Sequence, residues 1–150
     1  MRRVATRPAG DRVRRLKRWL VSGSILAALV AAAALARRHA DDAAKPGPIQ
    51  GLLVPNLSTT AAAGQQAFAE RCVACHGPDG AGTVAGPPLV HPVYRRAHHA
   101  DITFTLAVRR GVVAHHWRFG DMPPQPAVTE REVMAITQYM REVQAANGID

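Results

Sequence analysis

The sequence predicts a small all-α domain behind one N-terminal transmembrane helix, and three observations predict it. Residues 72–76 read Cys-Val-Ala-Cys-His, a C-x-x-C-H motif that uses the only two cysteines of the chain. Two segments with apolar residues at helical spacing flank that motif in sequence, one just before it and one at the C-terminus, and no strand pattern surrounds it. An uncharged run of 18 residues, Trp19 to Ala36, precedes both of these.

The motif carries the chemistry. C-x-x-C-H is the spacing at which haem is attached covalently. The two thiols form thioethers with the two porphyrin vinyl groups, and the next residue places an imidazole nitrogen on the iron. Cys72 and Cys75 are therefore the expected attachment points and His76 the expected proximal ligand. A thioredoxin-type redox pair would need a βαβ context. A zinc site would need four ligands, and there is no second C-x-x-C. A disulfide across two residues would close a strained loop. The adjacent histidine and the export signal favour haem. No internal repeat is visible, so one haem is expected.

Charge places the partners. Residues 1–18 hold eight basic residues against Asp11 alone, whereas from residue 46 onward eight basic residues balance eight acidic ones. The whole-chain net charge of +8 thus belongs to the leader, and nucleic acid is excluded as a partner of the folded part.

Taken in order, residues 1–18 are a basic cytoplasmic arm. The run 19–36 spans about 27 Å as a helix, just enough for a bilayer core. Eight basic residues before it outweigh Arg37, Arg38 and Lys45 after it, so the N-terminus stays in the cytoplasm and the remainder is exported. Ala34-Leu35-Ala36 has the small-x-small form of a cleavage site. The length of the run and the arginine pair behind it favour a retained anchor. The expected location is a bacterial inner membrane with the domain in the periplasm; the alternative is a soluble periplasmic protein after cleavage. Residues 37–57 read as a linker, broken by Lys45-Pro46-Gly47-Pro48 and Val54-Pro55-Asn56.

Residues 58–150 form the domain, small for an unaided hydrophobic core, so that a buried haem would supply missing apolar surface. Ser58-Thr59-Thr60 offers an N-cap for a helix from Ala61 to Arg71. Gly64 and Phe68 share one face of it. A glycine-rich loop follows His76 and closes at Gly86-Pro87-Pro88-Leu89. Asp101 is the expected cap of a helix from Ile102 to Arg110, ended by Gly111. Two prolines make Gly120-Asp121-Met122-Pro123-Pro124 a loop. Thr129-Glu130-Arg131-Glu132 is a capping box, opening a last helix from about Glu130 to Ala146. Val133, Ile136, Tyr139, Met140 and Val143 are its apolar stripe.

With these parts in place, residues 58–148 resemble a class I c-type cytochrome: helix, C-x-x-C-H, Gly-Pro loop, helix, methionine loop, C-terminal helix. The leader is outside the resemblance. The resemblance implies a fold in which the first and last helices cross near Gly64, Phe68, Ile136 and Tyr139 around one haem. It implies that Met122 is the distal iron ligand, and that the Pro87 carbonyl accepts the Nδ1 hydrogen of His76 and so orients the imidazole. Met134 and Met140 lie in the last helix, where core packing is the ordinary role; Met122 lies in a stiffened loop.

The implied function is one-electron transfer between respiratory redox proteins. No acid, base or nucleophile is needed and no small-molecule substrate is expected, so the protein is read as a carrier, free or as a subunit of an oxidoreductase complex. Two alternatives stay open. A labile distal site would make a haem enzyme or gas sensor, with His115 or His116 as acid-base group. The pairs His98-His99 and His115-His116 would otherwise hold copper beside the haem. Neighbouring residues on a regular element diverge, so neither pair is a ready chelate by itself, and contact with solvent or a haem propionate is the preferred role. Trp117, Arg118 and Tyr94 are further candidates for propionate contacts.

Overall fold

The computed structural model describes Trp19, residues 23–38 and residues 45–150. The basic arm 1–18, residues 20–22 of the expected span and residues 39–44 of the expected linker lie outside the described residues. The chain divides into two units, Met1–Asp42 and Ala43–Asp150. In the first, residues 23–38 are helical and exposed. Among the described residues, no helix is long and apolar enough to cross a membrane.

The second unit is helical. Helix α1 spans Thr59–Arg71, α2 is the single turn Val73–His76, α3 spans Ile102–Arg110 and α4 spans Glu130–Ala146; short 3-10 turns lie at Pro78–Gly80 and Pro92–Tyr94. Ser58 caps α1, which begins two residues earlier than the sequence reading. Its Oγ accepts the Ala61 N–H at 3.2 Å, which satisfies one of the orphan donors of the first turn. The same residue reaches the last helix, giving its N–H to Glu142 Oε2 at 3.0 Å and its hydroxyl to Oε1 at 2.7 Å.

Helix α4 begins with the expected capping box. Thr129 Oγ1 accepts from the Glu132 N–H at 3.2 Å, and Glu132 Oε2 accepts from the Thr129 N–H at 2.7 Å. Its stripe of Val133, Ile136, Tyr139, Met140 and Val143 is buried, and with Ala61, Ala67 and Phe68 of α1 it forms most of the core. The two helices touch backbone to backbone. A Cβ on Gly64 would stand 2.0 Å from the Ala135 carbonyl oxygen and 2.9 Å from the Ile136 nitrogen. Phe68 and Tyr139 meet edge to face there, with ring centroids 5.8 Å apart, a favoured aromatic geometry.

Two expectations are corrected. Asp101 precedes α3 but its side chain makes no cap, because its backbone is already helical (φ −54°, ψ −35°) where a capping residue is extended. Its carboxylate instead accepts from Arg96 at 2.6 Å and from Arg141 Nε at 2.7 Å. The stretch read as a linker is attached to the domain from residue 49 onward. The Ile49 N–H donates to the Ala81 carbonyl, Leu53 exchanges two hydrogen bonds with the Asn147 amide, and Leu52 and Leu57 pack on the core.

Arg141 is the buried polar centre of the unit, at 5 % exposure. Besides Asp101, it donates to the carbonyls of Tyr94 and His99 and to the Gln144 amide oxygen, and it lies over the Phe104 ring at 5.0 Å. Gln144 in turn donates to the Leu89 carbonyl at 2.8 Å. One helix face thus ties down the loop that lacks regular structure.

This packing can be tested at two positions. Gly64→Ala forces α1 away from α4 and is expected to cost about 1–3 kcal/mol as overpacking, read as a lower urea midpoint; an unchanged midpoint would refute the crossing. Burial alone would raise the Asp101 carboxyl, but hydrogen bonds from Arg141 and Arg96, with their charges, outweigh it and hold it below the ordinary range. A depressed folded value stabilises above the unfolded value, about 3.9, and the gain is lost as pH falls through the folded one. The stability gap between wild type and Asp101→Asn should therefore be full at pH 6 and shrink below about pH 4; a gap independent of pH contradicts this.

Candidate haem site

Helix α1 delivers the motif. Cys72 closes α1, its N–H donating to the Phe68 carbonyl at 2.8 Å, and its φ of −120° breaks the helix. Helix α2 restarts at once, so Cys75 and His76 lie one turn beyond Cys72, both N–H groups pointing back to the Cys72 carbonyl. Both thiols are free, Cys72 half-buried and Cys75 exposed. Burial, with Cys75 adding to it, pushes the Cys72 thiol up to about 11.

His76 is brought to Pro87. Its Nδ1 lies 2.9 Å from the Pro87 carbonyl oxygen. A carbonyl only accepts, so Nδ1 carries the hydrogen and Nε2 keeps its lone pair. Burial lowers the His76 pKa, opposed by the Pro87 bond, and the neutral ring is the form that ligates a metal.

The loop between them is folded tightly enough to make that contact. Gly77 has φ +71° and Gly82 φ +89°, and the Gly82 N–H donates to the His76 carbonyl at 2.6 Å. Gly86 passes so close that a Cβ there would stand 2.8 Å from the Cys75 carbonyl oxygen, which Thr83 Oγ1 also engages at 2.6 Å. Asp79 takes the left-handed region at φ +54° and accepts the Tyr139 hydroxyl. Burial and the Asp79 carboxylate push that hydroxyl's pKa well up. Helix α4 therefore holds the loop that carries Pro87.

Met122 is half-buried in the expected loop. It pairs with Val112 in an antiparallel bridge, with both N–H···O bonds at 2.9 Å. Gly111, at φ +73°, leaves room for the Met122 carbonyl, which a Cβ would approach to 2.4 Å. The hydrogen bonds that position Met122 come from the α3 side and do not involve the motif.

The other candidates the sequence offered make contacts within the protein. Trp117 gives its indole N–H to the Tyr94 hydroxyl at 3.2 Å and meets His91 edge to face. The histidine pairs converge: His98, His99 and His116 have ligand atoms all within 4.8 Å of one another. The sequence reading offered both pairs as ligands for copper, but the choice of these three, without His115, comes from the structure. The sequence reading missed Arg141 and the Asp79–Tyr139 bond. Thr137, Arg141 and Gln144 follow one another at helical spacing beside the apolar stripe and are all buried, but a polar stripe on a helix ordinarily faces water.

The donor set fits a covalently attached haem. Two unpaired thiols are one helical turn apart, and the next imidazole has its lone pair kept free by a backbone carbonyl. This is an all-α domain built to bind haem by thioether bonds. The family model for cytochrome c matches residues 61–144, and the chain belongs to that family. Membership of that family carries covalently bound haem c with it. Over 92 residues it is 34 % identical to a cbb3-type cytochrome c oxidase subunit CcoP of Rhodobacter capsulatus, and 33 % identical to a second CcoP sequence of the same species. The match covers 59 % of this chain but only 31 % of each relative, so the chain spans about a third of the curated relatives it matches. No solved structure matches it.

Proposed function

We propose that Cys72 and Cys75 hold haem c, that His76 and Met122 are its axial ligands, and that the domain passes single electrons between respiratory redox partners in the bacterial periplasm. The observation that carries this reading is the bond from His76 Nδ1 to the Pro87 carbonyl at 2.9 Å. It selects the tautomer, aims Nε2 and raises its basicity. When bound, haem c supplies the one-electron couple.

The chain's residues set the rest. A methionine thioether opposite histidine raises the potential, and the bridge from Val112 to Met122 fixes the backbone that presents it. Cys75 is exposed, so the thioether edge is the one nearest the surface and the route for electrons. Balanced charge after residue 46 gives little long-range steering, which suits small, transient contacts with partners. The curated relatives are oxidase subunits by name. We infer that this domain works with a membrane-bound complex of that class, as a subunit or as its donor, and that residues 19–36 anchor it there. It performs no chemistry on a small molecule.

The ligand assignment is tested on the haem-loaded protein. The oxidised form should show a weak sulfur-to-iron charge-transfer band in the near infrared, lost in Met122→Ala along with a fall in potential. Cys72→Ala with Cys75→Ala should abolish haem that survives denaturing electrophoresis. A high-spin spectrum with prompt carbon monoxide binding in the wild type would replace the carrier with an open-site haem protein. The anchor is tested separately. The full chain should remain in the carbonate-washed membrane fraction; soluble periplasmic protein beginning after Ala36 would show a cleaved leader.

A further inference from the structure

Three histidines that belong to neither haem ligand converge on one point of the surface. His98 and His99 lie in a turn after the 3-10 turn Pro92–Tyr94, and His116 lies in the bend that follows Val112. Ring centroids are 4.6 Å apart for His98 and His99, 5.2 Å for His98 and His116, and 5.1 Å for His99 and His116. One ligand nitrogen from each lies within 4.8 Å of the other two.

We propose that His98, His99 and His116 bind one transition-metal ion of the imidazole-preferring class, Zn2+ or Cu2+, at a site separate from the haem iron. Three imidazoles with no thiolate or carboxylate among them match the preference of both ions. An ion with bonds of about 2.0–2.1 Å needs the three nitrogens somewhat closer than they stand. His98 and His116 are exposed, which leaves their side chains room to rotate toward an ion.

The supports around the site argue for more than a chance cluster. His99 gives its Nδ1 hydrogen to the Val93 carbonyl at 2.7 Å, which leaves Nε2 as the donor and fixes the ring, the arrangement that orients ligating histidines. The His99 carbonyl is held by Arg141, so its backbone is tied to α4. Arg141 is itself paired with Asp101, which balances its charge near the site. The other loop is tied at Val112 to Met122, and Asp121 Oδ1 accepts the Ala114 N–H at 2.8 Å. Two anchored loops thus present ligands to each other, and the ion would staple the segment before Met122 to the segment before α3. His115 stands outside the set, its Nδ1 turned to the Val113 carbonyl at 2.8 Å.

The test uses the haem-loaded full chain, in which thioether bonds consume both cysteine thiols. Calorimetric titration with zinc chloride in a non-chelating buffer should show one saturable equivalent with an unchanged haem spectrum. His116→Ala should weaken binding by more than about tenfold, the least that even loss of an outer partner costs at such sites. The triple variant His98→Ala, His99→Ala, His116→Ala should abolish it, and His91→Ala should leave it intact. Absence of saturable zinc binding, or binding indifferent to the triple variant, overturns the proposal. Should the triple variant fold poorly, electron paramagnetic resonance of one equivalent of Cu2+ on the wild type decides. Nitrogen hyperfine structure supports the site, and purely oxygen ligation refutes it.

Discussion

The contact between α1 and α4 at Gly64 is the constraint on which the rest of the unit depends. With no side chain between them, the Gly64 backbone reaches the carbonyl of Ala135, and the two helices share one buried seam. That seam fixes the position and direction of α1, whose C-cap is Cys72. The place of the C-x-x-C-H motif in the fold therefore depends on a helix crossing. Ser58 with Glu142 at one end of the seam, and Phe68 with Tyr139 near the motif, keep the register from slipping.

Helix α4 does a second job with its polar side chains. Tyr139 holds Asp79, Gln144 holds Leu89, and Arg141 holds Tyr94, His99 and Asp101. All of these partners lie in the stretch between His76 and α3, which has little regular structure of its own. Loop backbone that is partly buried must find hydrogen-bond partners, and here a single helix supplies them. This keeps Pro87 against His76 at one side and brings His99 toward His116 at the other. The loop carrying Met122 is governed from elsewhere, by Gly111 and Val112 at the end of α3. The backbone around His76 and the backbone around Met122 are thus set by different helices.

Much of this was legible in the chain itself. The C-x-x-C-H motif, the Thr129–Glu132 capping box, the last helix with its stripe and the α3 boundaries are local features, and local rules of spacing and capping find them. The Gly64 crossing and the His76–Pro87 bond came from likeness to a family whose parts fall in the same order. Asp101 misled because an aspartate before a helix is a good cap by type, yet it lacked the extended backbone that a cap requires. The attached stretch 49–57 misled because prolines mark irregular backbone and say nothing of whether that backbone is bound.

By itself, then, the sequence determined the helices, the C-x-x-C-H motif and the loop in which Met122 lies, since each depends on residues within a few positions of one another. The tertiary structure alone decided that Arg141 is buried, that Asp79 meets Tyr139 and that His98 and His99 face His116. Those contacts join residues far apart in the chain, 60 positions for Asp79 and Tyr139 and 40 for Asp101 and Arg141. Side-chain type does not reveal them, because the same arginine, aspartate or histidine serves equally well in water.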